Sequence, residues 1–179
     1  MNSSKFFVIF ILFPVFGKTQ FVDSVKSQLI KDWTRSKSYT IEYLNTMPDD
    51  KYEFHPLDSI RNFAQQMIHL SQATISLMNA ATGREIPAII NRTNLEQTPS
   101  AWSKDSVLYF VTLSYDYAIA AMTEFDLIKA FERVSRGTLN ESRFGWSLKA
   151  YEHQAHHRGQ AAIYIRLVCK TPPFEKLFN

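Results

Sequence analysis

Cysteine occurs once in the 179 residues, as Cys169. No internal disulfide can form, and a lone thiol says nothing for or against an oxidising compartment. Glycine is scarce, with 5 residues, and turn dipeptides are few, so long elements joined by few tight turns are expected. Charge of one sign is also lacking. The formal net charge is only +3, and no run of Lys and Arg interleaved with aromatics marks a nucleic-acid stripe. A nucleic-acid partner is therefore not expected. Neither an internal repeat nor a low-complexity segment is present. What is plentiful is apolar residue: 45% hydrophobic and 14% aromatic suit a folded chain with a real core and argue against disorder.

No apolar run reaches the roughly 20 residues that span a bilayer. The longest stands at the N-terminus, Phe6 to Phe13, preceded by Lys5 and extended past Pro14 by Val15 and Phe16. Its length and basic flank fit the apolar region of a secretory signal, with Val15-Phe16-Gly17 as a cleavage site before the polar restart at Lys18. The expected division is a signal over 1–17 and a folded domain over 18–179, giving an exported or periplasmic chain with no stable membrane anchor. If the signal reading fails, the location is cytoplasmic. No Cys follows the run to carry a lipid.

Four segments carry helical periodicity. The first runs from about Phe21 to Met47 and is stopped by Pro48-Asp49-Asp50. The second begins after Pro56, with Asp58 or Ser59 as N-cap, and ends at Gly83; its stripe is Ile60, Phe63, Met67, Leu70, Thr74, Leu77 and Ala81. A third starts near Ser103, with Val107, Val111, Ser114, Ala118, Ala121 and Phe125 on one face. The fourth spans about Ser142 to Cys169, before Pro172-Pro173. Four such helices predict an all-α four-helix bundle. The connections 84–102 and 129–141 are long, and loops of about 13–19 residues are often functional.

The fourth segment holds Tyr151-Glu152-His153-Gln154-Ala155-His156-His157-Arg158-Gly159-Gln160, three of five histidines within five residues. On a helical wheel, Trp146, Ala150, His153, His157, Ala161, Tyr164 and Val168 share an arc of roughly 80° that should face the interior. His153 and His157 therefore interrupt an inward stripe, while His156 falls on a flank. Two buried imidazoles one turn apart need polar partners, and at this spacing they can chelate one transition metal ion. A third ligand would come from elsewhere. His69, on the shoulder of the second stripe, is the best candidate; His55 reads as a surface or capping residue. The wheel also places Gln160 near the inward face, Arg158 and Glu152 away from it, and Cys169 opposite the histidines, where it reads as core packing.

These residues form a pattern. His153 with His157-Arg158-Gly159-Gln160, then Tyr164-Ile165-Arg166-Leu167, resembles the last helix of the DinB-like (DinB/YfiT) superfamily. Phe63-Ala64-Gln65-Gln66-Met67-Ile68-His69-Leu70 is similar to that family's second helix, and Asp32-Trp33, Tyr43-Leu44 and Met47-Pro48-Asp49-Asp50-Lys51-Tyr52 match its opening. The resemblance covers about residues 20–179 and implies a four-helix bundle holding a divalent metal, zinc or nickel in type, on His69, His153 and His157. It further implies metal-dependent chemistry, a hydrolase or a thiol S-transferase, on a small electrophilic substrate whose identity is open. A non-catalytic, metal-stabilised or stress-related bundle is the competing reading. Related bundles often pair, so a homodimer is compatible with the pattern. The motif lacks the glutamate of HExxH, and for proton transfer Glu42, Asp116, Glu124 and Tyr164 are all open.

Overall fold

The computed structural model describes residues 16–91 and 94–178. Residues 1–15 of the expected signal lie outside the described residues. Four long helices make the frame: α1 (Phe16–Thr46), α2 (Phe63–Thr82), α4 (Lys104–Glu124) and α5 (Arg143–Leu167), with a short α3 (Ala88–Asn91) between α2 and α4. A two-stranded antiparallel hairpin, β1 (Arg133–Arg136) and β2 (Leu139–Ser142), precedes α5. The all-α four-helix bundle is what the periodicity predicts. No helix of the described residues is long and apolar enough to cross a membrane.

The order of packing follows from the stripes. α2 lies against α5 and α4, and α1 closes the ring against α4 and α5. Val107, Val111, Ser114, Ala118, Ala121 and Phe125 of the α4 stripe are all buried, as its periodicity requires. On α1 the inward line is Trp33, Ser36, Thr40, Tyr43, Leu44 and Met47, at helical spacing. Its two small polar members are satisfied across the bundle. Ser36 meets the Tyr151 hydroxyl at 3.0 Å and Thr40 the Tyr115 hydroxyl at 2.7 Å.

Helix ends are set by local chemistry. Ser103 Oγ accepts from the Ser106 amide to start α4, and Ser142 Oγ accepts from Gly145 to start α5. Gly83 ends α2 at φ +79°, a left-handed conformation that glycine adopts without a Cβ clash. The start of α2 differs from the expected Asp58 or Ser59. Asn62 is the cap: its side chain accepts from the Gln65 amide at 2.7 Å, and Gln65 Oε1 accepts in return from the Asn62 amide at 2.9 Å. The carbonyls of Phe54 and Tyr52 take the amides of Phe63 and Ala64. With the first-turn donors met there, Ile60 stays outside the helix and is 41% exposed instead of joining the stripe.

The route between the helices decides what reaches the site. α2 and α4 run the same way: Trp102, just before α4, lies beside Glu96 near Gln65 in the first turn of α2, while Tyr117 donates to Arg84 beyond α2's end. Joining two parallel helices needs a long return, and residues 83–103 make it. The hairpin likewise fills the second long connection and is tied to α5 by Trp146 Nε1, which donates to the Val134 carbonyl at 3.0 Å. Asn62→Ala is expected to lower stability by about 0.5–2 kcal/mol, whereas Asp58→Ala and Ser59→Ala shift it by less than about 0.5 kcal/mol, as read by urea denaturation.

Candidate metal centre

The site sits where α2 faces α5, near the first turns of α2. His69 comes from the second turn of α2, and His153 and His157 from successive turns of α5. Ring centroids are 4.3 Å apart for His153 and His157, 4.7 Å for His69 and His157, and 5.3 Å for His69 and His153. One nitrogen from each ring lies within 4.8 Å of the others. The structure thus brings together the three histidines singled out in the sequence. His156 is exposed on the flank, and His55 is exposed in the turn before α2. Glu152 is exposed and points away, as the wheel has it.

The donor set fits a divalent ion. His153 Nε2 and His157 Nε2 stand 3.0 Å apart, so two bonds of about 2.0–2.1 Å to a shared ion would subtend about 90–100°. Burial, followed by the neighbouring imidazoles, lowers the pKa of His157 to about 3 and that of His153 to about 4. Both rings are therefore neutral at physiological pH, the state in which imidazole is a ligand. His153 Nδ1 is buried with no partner among the described residues, so that nitrogen offers no competing anchor for the ring.

Two of the rings are gripped from outside. His157 Nδ1 meets Gln66 Nε2 at 2.7 Å, and the same amide group contacts Gln160 Oε1. Coordination through Nε2 requires Nδ1 to carry the hydrogen, so the ion-loaded ring calls for the Gln66 amide turned to present its oxygen. Gln160 in turn reaches His156, Nε2 to Nε2 at 3.0 Å. The third ring, His69, places Nδ1 3.0 Å from Glu96 Oε2. Glu96 lies in the turn Leu95–Gln97 of the long return. Burial opposes its ionisation, but Arg61 and His69 outweigh that and hold the carboxyl below the usual range.

Sequence reasoning missed Glu96. It stands in an aperiodic loop, and the available signal was only that a 19-residue connection is often functional. The wheel also misplaced two residues near the end of the chain. Arg158 is buried, where its Nη1 donates to Gln154 Oε1 at 2.7 Å and its guanidinium lies over the Tyr39 ring. α5 packs on α1 as well as α2, so it has a second buried face that a single inward arc does not capture. Cys169 is exposed and not in the core: α5 ends at Leu167 and Cys169 takes a φ of 60°, so helical extrapolation no longer applies. Gln160, placed near the inward face, is exposed overall but turns its amide to Gln66.

Of the four residues considered for proton transfer, three carboxylates pair with cations and Tyr164 lines the cleft beside His157. Glu42 pairs with Lys176, Asp116 with Lys37, and Glu124 with Arg84; the Tyr164 hydroxyl donates to the Arg61 carbonyl. A cleft of about 650 Å³ opens beside His157, walled by Ile60, Ile163 and Pro56 and edged by Arg61, Glu96 and Gln160.

No family model matches the chain, and no curated protein matches it. Solved structures do. A DinB-like protein of Bacillus cereus superposes with a TM-score of 0.69 at 16% identity, over 83% of this chain and 95% of that one. A DinB-like protein of Bacillus subtilis gives 0.64 at 15% identity, over 82% and 96%. A conserved protein of Enterococcus faecalis gives 0.62 at 15%, over 81% and 97%. At these identities the likeness establishes architecture: the chain has the fold of DinB-like proteins.

The pH dependence of the metal-free chain follows from the two lowered pKa values. An unfolded imidazole takes up its proton near pH 6.5, whereas folded His153 and His157 do so only near pH 4 and 3. Between those limits the unfolded state binds more protons, so stability falls as pH drops below about 6.5. Urea midpoints in chelator should be level above about pH 7 and decline toward about pH 4, and His153→Gln and His157→Gln should each flatten the decline.

Proposed function

We propose that this protein binds one divalent ion, zinc or nickel in type, on His69, His153 and His157, and uses it to hydrolyse a small electrophilic substrate held in the adjoining cleft. The observation that carries the reading is the convergence of three imidazoles from two helices beside a cleft edged by polar groups. An ion held by three neutral imidazoles keeps its charge and an open position, and supplies Lewis acidity to a carbonyl and to water. The chain's own residues do the rest. Ile60 and Ile163 offer an apolar wall for the substrate's carbon frame, and Arg61 and Gln160 offer donors to its oxygens. Cys169 is exposed beyond the end of α5 and is no nucleophile for this centre.

Hydrolysis is preferred to thiol transfer because the N-terminal apolar run reads as an export signal, and a cytosolic thiol would be scarce outside. A second reading has its own support. Glu96 accepts from Arg61 and pairs with His69, so among the described residues the site shows no uncommitted carboxylate to act as base. In that case the ion ties α2 to α5 and stabilises the bundle by linkage.

The test begins with elemental analysis of the purified chain. One zinc or nickel ion per chain is expected, falling below about 0.1 in His69→Ala, His153→Ala and His157→Ala. Full occupancy in those variants would sink the site assignment. Activity against esters, amides and thiol-conjugation substrates is then compared with and without chelator; an ester-cleaving activity that drops at least about 100-fold on chelation is expected. Thiol conjugation in place of hydrolysis would overturn the choice of water, and full occupancy without any chelator-sensitive turnover would favour the structural ion.

A further inference from the structure

Glu96 is held more firmly than a loop carboxylate has reason to be. Its backbone carbonyl accepts from Gln65 Nε2 and from Trp102 Nε1, each at 3.2 Å. Its carboxylate takes Arg61 Nε on Oε1 at 2.6 Å and faces His69 Nδ1 from Oε2 at 3.0 Å, nearer than Arg61 Nη2, which stands 3.4 Å from the same nitrogen. Gln65 is also the residue that closes the cap of α2, so one side chain fixes the helix start with its oxygen and the loop with its nitrogen. Arg61 stands immediately before that cap. The carboxylate is thus anchored to the same end of the helix that carries His69, and its oxygen is aimed at one ring nitrogen.

A neutral imidazole has a hydrogen on one nitrogen and a lone pair on the other, and the outer partner decides which. A carboxylate only accepts, so the nitrogen it faces must carry the hydrogen. With Nδ1–H directed to Glu96, the lone pair of His69 stands on Nε2, the nitrogen that His153 and His157 also present to one another. We propose that Glu96, clamped by Arg61, is a positioning residue that fixes the tautomer and ring orientation of His69 so that Nε2 is delivered to the ion. This rests on the metal reading above. His157 has Gln66 in the corresponding outer place, so two of the three rings have an outer partner, whereas His153 Nδ1 has none among the described residues.

The role is read in two independent ways on the full chain. In the metal-free protein, two-bond ¹H–¹⁵N correlation should show His69 as the Nδ1–H tautomer. Glu96→Ala should move it toward Nε2–H, while Glu96→Gln, whose amide oxygen still accepts, should retain Nδ1–H. Zinc affinity by chelator competition should fall about 10–100-fold in Glu96→Ala, with part of the loss recovered in Glu96→Gln. A purely structural glutamate would lower the denaturation midpoint without moving the tautomer. The role is overturned if Glu96→Ala keeps Nδ1–H on His69, or binds zinc within about twofold of the parent chain. If Glu96→Ala does not fold, Glu96→Gln and Arg61→Gln carry the test: zinc affinities equal to the parent in both would overturn it. A parent chain that takes up no zinc or nickel sinks the metal reading itself, and is told apart from failure of Glu96 alone by the parent's own affinity.

Discussion

Placing His153 and His157 in the seam between α2 and α5 draws their nitrogens away from water, and α2 answers His157 directly through the Gln66 amide. An unpartnered polar group in such a place costs roughly 1–3 kcal/mol. Across from them stand Gln66 and His69, three residues apart and so neighbours on one face of α2. The opening of α2 has to be placed accurately for this to work. Asn62, Gln65 and the carbonyls of Phe54 and Tyr52 fix it, and a start at Asp58 or Ser59 would add an extra turn of helix where the cleft now opens. Capping, packing and the candidate centre are one set of contacts.

The parallel run of α2 and α4 is the second constraint. An antiparallel neighbour would need only a short turn, whereas a parallel one requires a return along the bundle. That return brings Glu96 back to the first turns of α2, after the chain has already passed them. A residue 27 positions from His69 in sequence becomes its outer partner. The other polar face of α5, with Arg158 and Gln154, closes on Tyr115 and Thr40 by hydrogen bonds and on the Tyr39 ring. The two faces share a helix and serve different ends. One joins α5 to α1 and α4, and the other turns its imidazoles toward His69 beside a cleft.

This also explains what was legible in the sequence. Periodicity exposes a helix that buries one stripe, so α4 and its Ser103 start, and the placing of His153, His157 and His156, could be read directly. It fails where a helix buries two faces, as at Arg158, and where a helix has ended, as at Cys169. The Asn62 cap was hidden because earlier residues carry equally good capping chemistry or turn signals, and the deciding carbonyls of Tyr52 and Phe54 arrive by tertiary contact. Glu96 lies in a segment with no period at all. Its role depends on where the loop returns, and no local pattern encodes that.

Whether an ion bound here would work or only hold the helices turns on what surrounds the three rings. A structural zinc site closes its tetrahedron with four protein ligands. Among the described residues the group that converges here has three, and a cleft opens beside His157. An ion held by these three rings would keep a position open to other ligands. The same neighbourhood limits the chemistry. Both oxygens of Glu96, the one carboxylate among the residues lining the cleft, are engaged, and Glu42, Asp116 and Glu124 are paired elsewhere. Under the proposed hydrolytic reading, such a site would rely on the acidity a bound ion confers, and would suit substrates whose departing group leaves without protonation, activated esters before amides.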